Sequence, residues 1–168
     1  MSGRVWKFGD NIDTDVLAPG LYMKSPLSEL ARHCLEAVEP RFAAEVRLGD
    51  IVVGGRNFGM GSSREQAVMV LRELGVSAVI APSFAGIFYR NALNLGLLAF
   101  VCPRAKEIAA DATLTVEAAT ATLRDTTNGA VYTCEPLPGH LLQMIEDGGL
   151  LPHLEKKMTL NKLKEAQA

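Results

Sequence analysis

Between residues 50 and 103, three short apolar runs stopped by glycine or proline alternate with two amphipathic stretches, and this alternation constrains the fold most. "DIVVGG" (50–55), "VSAVIAP" (76–82) and "LLAFVCP" (97–103) are short, continuously apolar and bounded by turn residues, so they read as buried strands. The first joint predicts a helix from Ser62 or Ser63 to Leu74, with Ala67, Val68, Val70, Leu71 and Leu74 on one face. Gly75 follows where a helix-ending glycine belongs. In the second joint, Ser83 is expected to cap "FAGIFYRNALNL", which stops at Gly96. Strand, helix, strand, helix, strand with short joints makes two βαβ units, which require parallel strands and right-handed crossovers. The expected class is α/β, with a parallel βαβαβ core and additional antiparallel strands.

The flanks follow a different grammar. "TLTVEAATATLRD" and "AVYTCEP", separated by "TTNG", predict antiparallel strands around a turn. "PGHLLQMIEDGG" (138–149) predicts a short helix ended by paired glycines, and "SELARHCLEAV" (28–38) another with Ser28 as its cap. "APGLYMKSP" (18–26), with a proline near each end and no periodicity, is a loop carrying Tyr22 and Lys24. No repeat or linker interrupts the chain, so residues 1–168 are expected to form a single domain, with 152–168 a helical or disordered tail.

Composition narrows the function classes. With 48% hydrophobic and 21% charged residues the chain can bury a core, and a net charge of -2 leaves no electrostatic footprint for nucleic acid. Cys34, Cys102 and Cys134 are too far apart for a local zinc or iron–sulfur motif and do not suggest a disulfide framework, so reduced thiols in the cytoplasm are expected. "MSGRVWKFGDNIDTD" lacks an apolar export segment, and no window approaches a membrane span.

The stretch "RNFGMGSSREQA" (56–67) sits between a predicted strand and a predicted helix. Unpaired N–H groups at a helix start attract anions, glycines admit a ligand close to the backbone, and Arg64 offers a planar fork for a carboxylate or phosphate. Ser62 with Glu65, and Ser63 with Gln66, also each fit a capping box, which accounts for both serines without chemistry. Arg64 resists that reading, because a cation at the positive end of a helix is unfavourable by roughly 0.3–1 kcal/mol. An anion is expected beside it: Glu65, another carboxylate, or a ligand. The spacing fits neither a phosphate loop, nor a dinucleotide fingerprint, nor a nucleophile elbow. A serine hydrolase would need Asp125 and His140 as partners, and the elbow is missing. A carboxylate-binding turn with a hydroxyl beside it remains.

"GDIVVGG", "NFGMGSSREQA" and "APSFAGIFYRNALNLGL", with "FGDNIDTDVLAPGLY" upstream, strongly resemble the swivelling domain of the aconitase superfamily. The nearest likeness is to the stand-alone small subunits of 3-isopropylmalate dehydratase and homoaconitase, from about Trp6 to Pro103 and more weakly to Leu151. The resemblance implies a hydro-lyase of the 3-isopropylmalate dehydratase type, with a homoaconitase or a methyl-substituted malate dehydratase as the alternative, that moves a hydroxyl between adjacent carbons of a hydroxy-acid. It implies a large partner subunit carrying a [4Fe–4S] cluster, with none bound by this chain. It places the serine base on Ser62, and substrate-carboxylate contacts on Ser63 and Arg64. "LYMKSP" matches the family's substrate-discriminating segment, with Lys24 on or beside the discriminating position. A cation there suits an additional carboxylate, as in homoaconitase-like members, whereas an apolar residue suits an isopropyl group; the alternative for Lys24 is a loop lysine that simply points into water. Met60 and Gln66 depart from the residues common in relatives, and with Lys24 they point away from isopropylmalate, toward homoaconitate or a methyl-substituted malate such as 2,3-dimethylmalate. A non-catalytic carboxylate-binding module is the alternative of another class, and self-association of the isolated chain stays open.

Other polar groups read as structural. Asp10, Asp13 and Asp15 in "DNIDTD" lack the glycine and glutamate of a calcium loop, so a turn-forming hydrogen-bond network is expected. His33, His140 and His153 never pair at ligand spacing. Arg90, Asn91 and Asn94 are expected to face a partner or the domain's own loops.

Overall fold

The computed structural model describes residues 1–166, with side chains through Leu163. The described residues form one seven-stranded mixed sheet in the order β4-β3-β2-β1-β5-β6-β7. Strands β1 (Ser2–Lys7), β2 (Ile51–Val53), β3 (Ala78–Ala81) and β4 (Leu98–Val101) are parallel neighbours, with Val5 opposite Ile51, Ile51 opposite Ala78, and Ala78 opposite Leu98. Helix α4 (Gln66–Glu73) joins β2 to β3 and α5 (Gly86–Asn94) joins β3 to β4, as the alternation predicts. On the other side of β1, strands β5 (Thr113–Glu117), β6 (Thr122–Asp125) and β7 (Val131–Thr133) form an antiparallel meander.

Both faces of the parallel half are buried, which explains the uniformly apolar runs. Trp6, Val52, Val79 and Ala99 pack with α4, α5, α2 (Leu27–Arg32) and Phe42 of α3 (Phe42–Glu45) in one core. Their neighbours Val5, Ile51, Val53, Ala78, Ile80, Leu98 and Phe100 face a second core, which takes in Leu114, Val116, Leu123 and Tyr132 of the meander. The sheet curls around that second core. Its outer edges meet where the Glu135 N–H donates to the Val101 carbonyl at 2.8 Å and Cys102 Sγ lies 3.9 Å from the Thr133 carbonyl. Helix α6 (Gly139–Glu146) ends at Gly148 and Gly149, both at positive φ, and α7 (Leu150–Ala166) follows. The tail is therefore helical from Leu150 to Ala166, and its last two residues lie outside the described residues.

Several boundaries differ from the sequence reading. Helix α4 begins at Gln66, with Glu65 at the cap position and no side-chain cap, so neither Ser62 nor Ser63 starts it. The second crossover begins at Gly86 rather than at Ser83, whose hydroxyl accepts instead from the Asn57 N–H at 2.8 Å. Helix α2 ends at Arg32 and is preceded by Pro26, not capped by Ser28. Its predicted continuation is diverted where buried Leu35 adopts φ 61 and donates to the Val16 carbonyl at 2.9 Å. "TLTVEAATATLRD" folds back on itself as β5 and β6, with Ala121 at φ 51 in the turn. Strand β1 had no distinct signal, because its six residues include only two buried apolar side chains, Val5 and Trp6.

Candidate active site

Because β1 and β2 are parallel, the loops after them leave the same end of the sheet. Backbone hydrogen bonds carry their pairing onward. Asn11 donates to Arg56 O at 2.8 Å, Gly59 to Ile12 O at 2.7 Å, and Thr14 to Met60 O at 2.8 Å. The "DNIDTD" segment and the "GMGSSR" turn are thus laid side by side. The loop after β3 joins them, with Phe58 donating to Ser83 O at 3.0 Å and Ala85 to Phe58 O at 2.9 Å. Two glycines are obligatory. Gly59 has φ +79, and a Cβ there would lie 2.1 Å from the Phe88 ring. Gly61 has φ +103 and passes close to Thr14, whose Oγ1 would lie 3.1 Å from an added Cβ.

The turn presents Ser62 and Ser63 to solvent on an open face. The Ser62 N–H donates to Thr14 Oγ1 at 3.1 Å, and the two hydroxyl oxygens are 3.2 Å apart. Thr14 opens the short helix α1 (Thr14–Leu17) and is buried. Asn91 on α5 donates to the Ser63 carbonyl at 3.4 Å, so it serves the chain's own loop.

Arg64 lies just outside α4, and Asp15 is the carboxylate that offsets its charge. Nη1 donates to Asp15 Oδ1 at 2.6 Å and to the Ala18 carbonyl at 3.0 Å. The guanidinium, followed by the Gly20 N–H, holds the Asp15 carboxyl below its usual range. Among the described residues, Nε and Nη2 have no hydrogen-bond acceptor, and the side chain is 28% exposed. One edge of the fork is committed to the protein and the other is available. The capping-box explanation of the two serines does not hold, because their hydroxyls do not cap α4.

The same contacts fasten the loop that carries Lys24. Arg64 holds Ala18, Asp15 holds the Gly20 N–H at 3.0 Å, and the Tyr22 ring stacks on His33 with centroids 3.5 Å apart. His33 lies 2.7 Å from Glu36 and 3.4 Å from Glu29, and its pKa is raised chiefly by the Glu36 hydrogen bond. Lys24 is exposed and, among the described residues, makes no ion pair or hydrogen bond. The three aspartates of "DNIDTD" all have local partners. Asp10 pairs with Arg56 at 3.1 Å, Asp13 caps α1 through the Val16 N–H at 2.8 Å, and Asp15 holds Arg64.

The cysteines do not fit an iron–sulfur cluster. Cys34 is buried in the helix-side core, where burial pushes its thiol well above the ordinary range, and Cys102 and Cys134 are buried in the other core. Among the described residues, no group of three or more His, Cys, Asp and Glu is placed to hold a metal ion. No described helix is long and apolar enough to cross a membrane. Asp125, the candidate acid of a hydrolase, is fully buried in the meander and accepts from the Thr127 N–H at 2.8 Å. Sequence reasoning missed the roles of Thr14 and Asp15. Their signal was "DTD", which puts a hydroxyl and a carboxylate on adjacent residues at the start of α1, directly after the Asp13 bridge to the turn.

Comparison with known proteins agrees with this fold. The Aconitase C-terminal domain family matches residues 38–105. The methanogen homoaconitase small subunit of Methanothermobacter thermautotrophicus is 49% identical over 156 residues, covering 92% of this chain and 90% of that one. A 3-isopropylmalate dehydratase small subunit of Thermotoga maritima is 45% identical, covering 92% and 94%. The crystal structure of 3-isopropylmalate dehydratase from Methanocaldococcus jannaschii superposes with a TM-score of 0.91 at 38% identity, covering 97% of this chain and 98% of the other. With long-range identity at this level and the glycine-serine-arginine turn in the same chain, the protein belongs to the aconitase superfamily, among the small subunits of 3-isopropylmalate dehydratase and homoaconitase.

Proposed function

We propose that this chain is the small subunit of a two-subunit hydro-lyase that isomerises a hydroxy-di- or tricarboxylate by dehydration and rehydration. The observation that carries the reading is an exposed serine hydroxyl, Ser62, beside an arginine with half of its fork free. In this reading Ser62 removes the proton from the carbon next to a substrate carboxylate and returns it when water re-adds. Serine is a weak base at its ordinary pKa, so its alkoxide needs donors and a nearby cation. Arg64 supplies the cation. Its Nε and Nη2 edge, with the Ser63 hydroxyl, fits a carboxylate in the two-point geometry that arginine favours.

The iron–sulfur cluster belongs with the large subunit in this reading, since the buried cysteines here do not present a ligand set. An exposed half-site suits that division, because a partner covering Ser62 and Ser63 also excludes water.

Lys24 supports a substrate with a carboxylate beyond those of a simple malate. It stands on a loop fastened on one side by Arg64 and at Tyr22 by His33, with no competing acceptor among the described residues. Homoaconitate is therefore preferred over isopropylmalate, with methyl-substituted malates between them. The test reconstitutes the chain with its cognate large subunit and assays a panel of hydroxy-diacids and triacids, with and without Lys24→Val. The tricarboxylate should lead, and the valine variant should shift preference toward isopropylmalate by ~10-fold or more, the scale of one lost charge-assisted contact. An unchanged profile removes Lys24 from specificity, and no turnover of any hydroxy-acid removes the hydro-lyase reading.

A further inference from the structure

We propose that Thr14 is the hydrogen-bond donor that stabilises the ionised Ser62. This rests on the reading of Ser62 as the base and adds to it a second residue of the same chain that touches the reacting oxygen. A hydroxyl carries one proton and two lone pairs. The Ser62 N–H already uses one Thr14 lone pair, at 3.1 Å. The oxygen within reach of the Thr14 proton, among the described residues, is Ser62 Oγ at 3.2 Å. Thr14 is 2% exposed, so water does not compete freely for that proton.

Ser62 itself is exposed and can turn its own proton outward to solvent or substrate. When that proton leaves, the oxygen has gained charge and Thr14 is already oriented toward it. An O–H donor to an anionic oxygen contracts to roughly 2.5–2.7 Å and is about twice as strong as a neutral pair. The contact therefore favours the alkoxide over the neutral hydroxyl, which is the condition for lowering a pKa.

The backbone fixes this alignment independently of the hydroxyls. The Thr14 N–H is tied to Met60 O at 2.8 Å, and Asp13 pairs with Met60 in a parallel bridge. Gly61, at φ +103, lets the turn pass Thr14 at contact distance. The following residue, Asp15, holds Arg64. Thr14 and Asp15 thus serve the two ends of the Ser62–Arg64 turn from one short segment.

The experiment compares Thr14→Val, Thr14→Ser and Ser62→Ala in the complex reconstituted with the large subunit, reading kcat, KM and the pH profile of kcat. Valine keeps the shape and removes the donor, so kcat should fall ~100-fold, the loss typical of one oxyanion donor, with KM within about twofold. The rising limb of the profile should move to higher pH by about 1–2 units, because the alkoxide has lost its donor. Thr14→Ser keeps the hydroxyl and should restore kcat to within about fivefold of the parent. If valine unfolds the turn, Thr14→Ala is read by the same profile shift. A valine or alanine variant with unchanged kcat and pH profile, alongside an inactive Ser62→Ala, overturns the role of Thr14. An active Ser62→Ala overturns the serine reading beneath it.

Discussion

The parallel half of the sheet is buried on both faces and the meander mainly on one, and the two halves also differ in how their loops are held. In the meander, turns are closed by contacts a few residues apart, such as Thr127 N–H to Asp125 and Ala130 N–H to Asn128, both at 2.8 Å. In the parallel half, loops from separate strands are tied to one another over more than forty residues, through Thr14 to Ser62, Asp15 to Arg64 and Asp10 to Arg56. Antiparallel strands send successive loops to opposite ends, whereas parallel strands deliver every strand-exit loop to one end. The meander closes a core, and the parallel half closes a core and assembles side chains from distant sequence positions.

The contrast predicts that substitutions at the parallel strand ends change turnover more than stability, with the reverse in the meander. Apart from the two hydroxyls of the proposed base and its donor, the largest expected effect is at Arg64. Lysine keeps the charge but loses the fork that divides between Asp15 and a ligand, so Arg64→Lys should lower kcat/KM by ~100-fold with a melting temperature nearly unchanged. A fall in melting temperature matching the loss of activity would erase the distinction between the halves.

Leu123, fully buried in β6, tests the other side. Leu123→Ala should cost about 3 kcal/mol and lower the melting temperature by roughly 6–12 °C, leaving kcat of the reconstituted complex unchanged below the transition. A loss of kcat without a loss of stability would mean that the meander takes part in the site.

The smallest effect belongs to the joint between α6 and α7, outside both halves. Lys156 at 2.5 Å, then His153 at 2.6 Å, hold the Asp147 carboxyl down to about 2 from an ordinary 3.8. A carboxyl pKa lowered in the folded chain stabilises it above the unfolded value, and that contribution disappears as pH falls from about 4 toward 2. Thermal melts across that window should show an acid destabilisation that Asp147→Asn reduces. Parallel curves for the two proteins would show that the joint contributes nothing.

How legible these features were depends on the range of the contacts behind them. The βαβαβ core was readable because burial on both faces writes itself as uninterrupted apolar runs, and Gly75 marked the end of α4. The resemblance singled out the glycine-serine-arginine turn and "DNIDTD", and the fold pairs the two segments through the Asp13–Met60 bridge, a juxtaposition the sequence alone did not state. Capping logic failed at Ser62, Ser63, Ser28 and Ser83. A small hydroxyl near a helix start has several possible partners, and at Ser62 and Ser83 the chosen one lies on another loop. Arg64 showed that an anion was needed without showing which. Asp15, forty-nine positions earlier, becomes its partner only once β1 and β2 are paired.

Ser62→Ala in the reconstituted complex decides whether the proton-abstracting group resides on this chain. The measurement is single-turnover exchange of the substrate's carbon-bound hydrogen with solvent, alongside overall turnover. The prediction is a loss of at least ~1,000-fold in both, with substrate binding and melting temperature within experimental error of the parent. Exchange at the parental rate in the alanine variant would contradict it and move the base to the partner.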